Sequence, residues 1–389
     1  MTHKADGEFF DRKREWSTRK DEILRCYLSA YLPKIMALRK PVLIVDGFAG
    51  PGKFQDGHSG SPLIICECIQ QTLEKNLRAP QPVNLVCIEK IRELFETLDE
   101  NLRPFSFASA RSGSFSDYAD QISRAAQSKS VFLYVDPFTV EGLVWAELDR
   151  IFEGLKSGNS VEILLNLNSA SFIRRGLAVL KAQLDEMGDE DGEPVEAGIQ
   201  GNPSVETLNS VAGGQWWQDL ISEKHAFPET VTEFTRLYCD QMRHRFKQVA
   251  FHPIKAAPHH KVPKYFLVFG TRHVDGLALM NDEMAKSRSK LADMAKPRTR
   301  SLFEARSEEL VPDFERLPGL ILDAAKSKAA RKDIMNKVIQ RAFCDFQTAE
   351  IRSGIETLLK AGKLQSETGK FRINDDVKIW VSQTGPPSA

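Results

Sequence analysis

The chain has 389 residues, 42% hydrophobic and 27% charged, enough to bury a sizeable core and to build two or three domains. Its 53 Lys and Arg equal its 53 Asp and Glu, so no net field draws it to nucleic acid or to a membrane surface. No apolar run approaches the roughly 20 residues of a membrane helix and the N-terminus is charged rather than signal-like, so a cytoplasmic protein is expected. Charge is uneven along the chain: residues 1–40 carry ten Lys/Arg against six Asp/Glu, and 181–196 carry seven Asp/Glu against one Lys. The six cysteines (Cys26, Cys66, Cys68, Cys87, Cys239, Cys344) are scattered, mostly in apolar runs. They have neither the spacing nor the His partners of a zinc site, and read as reduced core thiols.

Residues 9–39 predict a helix, with Trp16, Lys20, Ile23, Tyr27 and Tyr31 at spacings of three and four and Pro33 marking a kink or an end. Strands are expected at 42–46, 83–88, 104–109, 131–135 and 160–167. Helices are expected between them at 61–75, 90–102, 115–127 and 143–155. This alternation predicts a parallel sheet, whose ligand lies at the carboxyl ends of the strands. Residues 183–214 are acidic, then rich in Gly, Asn and Pro, and read as a long irregular insertion. After it come a helix carrying Phe234, Leu237, Tyr238 and Met242, two strands at 248–255 and 264–270, and a helix at 274–294. A basic linker at 296–313 follows. Helices at 317–327, 330–342 and 347–360, then short strands at 363–365 and 370–373 about a Thr368-Gly369 turn, have the order of a winged helix-turn-helix.

Asp46-Gly-Phe-Ala-Gly-Pro-Gly52 follows the apolar strand Val42–Val45. A strand ending in a carboxylate and a glycine turn lets the backbone approach a nucleotide-like ligand, because glycine adopts positive φ without steric cost. Phe54 after Lys53 excludes a P-loop, and the spacing is not that of a dinucleotide fingerprint. Gly60-Ser61-Pro62 starts the next helix, with Ser61 suited to its N-cap and Pro62 to its first turn. Glu89 ends the second strand, where it can accept both hydroxyls of a ribose; alternatively it is an acid opening the following helix. Asp136-Pro137-Phe138 ends the fourth strand. Proline fixes a sharp exit there, and Asp136 either projects into the cleft or caps the next helix.

The glycine turn resembles the first motif of S-adenosylmethionine-dependent methyltransferases. Asp136-Pro137-Phe138 resembles the Asp/Asn-Pro-Pro-Tyr/Phe motif of their amino-methylating branch, with one proline in place of two. With Gly60-Ser-Pro-Leu63, Asn166-Leu-Asn168 and Tyr265-Phe-Leu-Val-Phe-Gly-Thr271, the chain resembles the three-Cys-motif partner proteins over most of its length. It is more distantly similar to the ribosomal RNA adenine-N6 methyltransferases. The resemblance implies a Rossmann-like methyltransferase three-layer α/β sandwich at 41–295, after a helical extension at 1–40 and before a winged helix at 314–381. It implies S-adenosyl-L-methionine as cofactor, held by Asp46, Phe48, Ala49, Gly50, Gly52, Ser61, Glu89 and Ser112. Where such enzymes carry an adenine-binding acid this chain reads Arg111-Ser-Gly-Ser114, so backbone amides or Ser112 are expected in its place. Asp136, Pro137 and Phe138 are the implied catalytic residues. The implied substrate is a nucleic-acid amino group; the alternative is a partner subunit of a radical-enzyme-like three-cysteine protein. No metal is implied. The 347–360 helix is close to neutral, so nucleic-acid contact is expected instead from Lys286, Arg288, Lys290, Lys296, Arg298 and Arg300.

Overall fold

The computed structural model describes residues 15–75, 82–153, 159–180, 203–223, 226–255, 260–294 and 312–382. The acidic stretch 181–196 and nearly all of the 296–313 linker lie outside them. Two compact units are present, 1–272 and 273–389.

The first unit is built on a seven-stranded sheet: β1 (Val42–Asp46), β2 (Val83–Glu89), β3 (Ala108–Ser112), β4 (Ser130–Val135), β5 (Val161–Leu167), β6 (Gln248–Ile254) and β7 (Tyr265–Thr271), in the order β3-β2-β1-β4-β5-β7-β6. β1 to β5 pair in parallel, and β7 runs antiparallel to both β5 and β6. This is a Rossmann-like α/β fold. Strand order reverses between β1 and β4, and ligands of such sheets bind at that reversal.

Helix α1 (Glu15–Ala37) precedes β1 and runs through Pro33. Along β4, Val131, Leu133 and Val135 join a large apolar cluster, while Phe132 on the other face meets the Tyr27 ring of α1 at 5.7 Å. Helices therefore cover both faces, which is why β1 and β4 read as unbroken apolar runs. Helices α2 (Ser61–Lys75), α3 (Arg92–Leu102), α4 (Phe115–Ala126), α5 (Trp145–Glu153) and α6 (Ser169–Val179) follow their strands as the alternation predicts.

In this unit two elements depart from the expected positions. β3 starts at Ala108 rather than 104, because Phe105 and Phe107 belong to the turn before it: Phe105 N–H donates to Leu102 O and Ala108 N–H to Phe105 O. An edge strand tolerates the small, polar run Ala-Ser-Ala-Arg-Ser that periodicity passes over. The irregular 183–214 insertion contains helix α7 (Val205–Ala212). Ser204 caps it by accepting from Thr207 N–H at 3.2 Å, and Gly213 ends it at φ 73°. Leu208, Val211 and Ala212 form its buried stripe. Helices α8 (Trp216–Ser222) and α9 (Phe227–Met242) complete this side.

The second unit holds α10 (Val274–Met294), α11 (Arg316–Ala324), α12 (Arg331–Arg341) and α13 (Thr348–Lys360), with a small sheet of β8 (Ala329–Ala330), β9 (Leu364–Ser366) and β10 (Lys378–Val381) in the order β8-β10-β9. The strand expected at 370–373 is displaced to 378–381. Phe371 is exposed, whereas Ile379 is fully buried and the Trp380 indole N–H donates to Gln365 Oε1 at 3.1 Å. The Gly369 turn forms as expected, at φ 67°.

Candidate cofactor and active site

Asp46, Glu89, Ser112 and Asp136 lie at or just beyond the carboxyl ends of four neighbouring parallel strands. Register pairs Asp46 with Cys87 and with Tyr134, and Glu89 with Ser112. Asp46 is fully buried. Its Oδ1 accepts from Phe48 N–H at 3.3 Å, and its Oδ2 has no hydrogen-bond partner. Burial pushes its carboxyl up to about 7; the nearby Ser61 hydroxyl and the Phe48 N–H ease this, while Asp136 and Glu89 add to it.

Above Asp46 the glycine turn is held by its backbone. Gly47 N–H donates to Tyr134 O, Ala49 N–H to Ile88 O, and Gly60 N–H to Gly52 O. Gly50 and Gly52 adopt φ of 60° and 78°, where a Cβ is strained. Asn101 Nδ2 donates to Pro51 O at 2.8 Å and buttresses the turn from α3. Phe48 stacks on Phe115 with centroids 5.9 Å apart. Helix α2 begins at Ser61 itself, and the Gly60 carbonyl accepts from Ile64 N–H, so Gly60 holds the cap position expected of Ser61.

Glu89 takes the helix-opening place that the sequence left open to it, and also reaches the glycine turn. Its Oε1 accepts from Ile91 N–H at 2.7 Å, at the start of α3, and its Oε2 accepts from Gly50 N–H at 2.8 Å. The carboxylate thus ties the glycine turn to the end of β2. Ser112 is exposed at the sheet edge, and its carbonyl accepts from the Tyr118 hydroxyl at 2.8 Å.

Asp136 does not cap a helix. Its Oδ2 accepts from Lys20 Nζ at 2.6 Å and its Oδ1 from Asn166 Nδ2 at 2.5 Å. Pro137 and Phe48 both flank Gly142: a Cβ placed there would lie 3.2 Å from Pro137 Cβ and 3.5 Å from Phe48 Cε1. Phe138 is a rare exposed large apolar side chain, 38% accessible. Lys20 was legible only as one position of an amphipathic helix, and Asn166 only as a strand end. The signal for both was polarity inside an apolar setting: Lys20 and Asn166 are 7% and 2% exposed.

The donor set fits S-adenosylmethionine. An unpaired buried carboxylate oxygen suits a cation, and positive-φ glycines leave room for a close ligand. Glu89 sets a carboxylate acceptor at the end of the neighbouring strand. The six cysteines are buried thiols that form no disulfide, and burial pushes the Cys66 thiol up to about 12. Among the described residues no cluster of His, Cys, Asp or Glu could hold a metal ion, and no helix is long and apolar enough to cross a membrane.

No protein-family model matches the chain, and no curated protein matches it either. Among solved structures it is similar to spermidine synthase from Thermotoga maritima at 11% identity, over 76% of this chain and 74% of that one, with a TM-score of 0.34. It is similar to a SAM-dependent methyltransferase from Methanosarcina mazei at 12% identity, over 60% and 92%, with a TM-score of 0.30. A third likeness is to loganic acid methyltransferase with SAH, at 13% identity over 66% and 94%, with a TM-score of 0.30. These likenesses concern the fold alone, and the Rossmann-like assignment rests on this chain's own strand order and strand-end site.

Proposed function

We propose that the chain binds S-adenosylmethionine across the β1 and β4 strand ends and methylates an amino group on nucleic acid. The observation that carries this reading is Asp46: a buried carboxylate with one unpaired oxygen beneath a glycine turn held at positive φ. Gly50 and Gly52 make room for the cofactor, Glu89 accepts from its ribose, and Phe48, Ala49, Ser61 and Ser112 line the remainder. When bound, the cofactor supplies an electrophilic methyl group. Asp136 orients the target amine by accepting its hydrogen bonds, and Phe138 offers a face on which an extruded base stacks, worth about 1–3 kcal/mol. Placement provides most of the rate enhancement.

A second reading is favoured by a specific observation: both oxygens of Asp136 are already engaged inside the protein. In that reading the chain keeps the fold and the cofactor site but acts as the partner of a three-cysteine protein. The C-terminal unit is read as a winged helix in either case. Of the basic residues expected to contact nucleic acid, Lys286 is exposed and pairs with Glu283 on its own helix at 2.6 Å, whereas Arg288 donates to Asp345 O at 2.7 Å and is committed internally. The Lys290 side chain and Lys296, Arg298 and Arg300 lie outside the described residues.

Calorimetry with S-adenosylmethionine tests the cofactor half. Gly50→Val should abolish binding while the protein stays folded, because a β-branched residue is strained at φ 60° and intrudes on the ligand. Glu89→Ala should weaken binding by about 1–3 kcal/mol. Unchanged affinity in both variants overturns the assignment. Mass spectrometry of nucleic acid from cells with and without the gene tests the transfer; cofactor binding with no methylated base favours the partner reading.

A further inference from the structure

Lys20 lies on α1, ahead of the sheet, yet its side chain reaches the end of β4. That side chain is 8% exposed and Asp136's is 25% exposed. Lys20 Nζ donates to Asp136 Oδ2 at 2.6 Å and stands 4.7 Å over the Tyr265 ring. From the other side Asn166 Nδ2 holds Oδ1 at 2.5 Å, and the Tyr134 hydroxyl approaches Oδ2 at 3.5 Å. Oδ2 thus accepts from both Lys20 and Tyr134, while Oδ1 accepts from Asn166 and retains a lone pair for an incoming amine.

We propose that Lys20 is the positioning residue of the reactive end: with Asn166 it locks the Asp136 carboxylate and offsets its charge, so that Asp136 orients an incoming amine without taking its proton. This rests on the cofactor reading above. Two physical points support it. A substrate amine cannot displace Lys20, because separating a buried pair strands an uncompensated charge. Burial alone would push the Lys20 ammonium down, but the Asp136 carboxylate and the Tyr265 hydroxyl outweigh it and hold it up, so the cation persists at neutral pH. The substrate nitrogen then forms the new N–C bond, the electron pair of the broken S–C bond stays on sulfur, and the surplus proton leaves to water.

The test needs no knowledge of the substrate. Sinefungin carries an amine where S-adenosylmethionine carries its methylsulfonium, whereas S-adenosylhomocysteine is uncharged there. The ratio of their affinities for the full chain therefore reads the charge presented to the methyl position. Lys20→Met should keep S-adenosylhomocysteine binding and shift the ratio about tenfold toward sinefungin, since Asp136 loses its internal cation. Asp136→Asn should shift the ratio the other way, and Lys20→Arg should restore it to within about twofold of wild type. If S-adenosylhomocysteine binds but Lys20→Met and Asp136→Asn leave the ratio unchanged, Lys20 is a structural pair and the inference fails alone. If the wild-type chain binds neither ligand, the cofactor reading fails and the inference falls with it. Should Lys20→Met not fold, Asp136→Asn and Lys20→Arg decide the matter.

Discussion

Asp46 shows how much chemistry one residue concentrates here. It ends an apolar strand, is buried, and keeps one oxygen unpaired. Burial pushes its carboxyl up to about 7, so near neutral pH the free protein holds it only partly ionised. A cationic ligand favours the ionised form, so binding should release a proton. Affinity for S-adenosylmethionine should then rise about tenfold between pH 6 and pH 8 through this group. Asp46→Asn keeps the shape without the charge and should remove that component. Calorimetry in buffers of different ionisation enthalpy counts the proton directly. Affinity that falls with pH in wild type, or an identical profile in Asp46→Asn, would show that Asp46 does not face the cofactor's charge.

Between elements, α1 is joined to the sheet by a second buried acid. Glu162 on β5 accepts from the Tyr27 hydroxyl of α1 and from Thr271 Oγ1 of β7 at 3.2 Å. Arg25 of α1 pairs with Glu67 of α2 at 2.7 Å nearby. Burial pushes the Glu162 carboxyl up to about 7, against the two hydroxyl donors that lower it. The sign follows from proton counting. Between about pH 4.5 and pH 7 the folded state keeps a proton on Glu162 that the unfolded chain has released, so stability falls as pH rises through that window and is flat above it. Asp46 acts in the same direction from a little lower pH. Glu162→Gln should therefore lower the melting temperature at pH 5 and close much of the gap to wild type by pH 8. A gap that widens with pH would mean that the ionised form is the one the fold prefers.

At the scale of the whole molecule, α10 decides where the second unit begins. The sequence places a boundary at 295–296, and the compact unit begins at 273; the two differ by this one helix. Asn281 of α10 accepts from Cys344 N–H at 2.9 Å and donates to Phe346 O at 2.7 Å. Asp282 accepts from both Thr348 N–H, at 2.7 Å, and Thr348 Oγ1, at 2.6 Å, at the start of α13. Cys344 sits at φ 72°, a strained position for a residue with a Cβ, and Asn281 holds its backbone there. A fragment starting at His273 should unfold cooperatively. One starting at Lys296 should lose these caps and melt at least about 10 °C lower, given a loss of a few kcal/mol in a domain of this size. Equal melting temperatures by circular dichroism would place α10 outside the unit.

Short-range chemistry was legible from the residues alone. Alternating apolar runs and amphipathic helices predicted most elements of the sheet within a few residues. The glycine turn with Glu89 and Asp136 marked the strand ends, because backbone freedom at Gly50 and acids at strand termini are local requirements. Elements with weak periodicity were misplaced: β3 is a polar edge strand, α7 is a short helix among turn-forming residues, and β10 depends on pairing with β8 and β9 and on burying Ile379. Only the tertiary structure decided the pairings. Lys20 meets Asp136 at a sequence separation of 116, and Glu162 meets Tyr27 at a separation of 135. A lysine on an amphipathic helix and a glutamate in a strand are ordinary by composition. Burial turns each into a charge that must find its partner, and that partner is chosen by how the chain packs rather than by what lies beside it in the sequence.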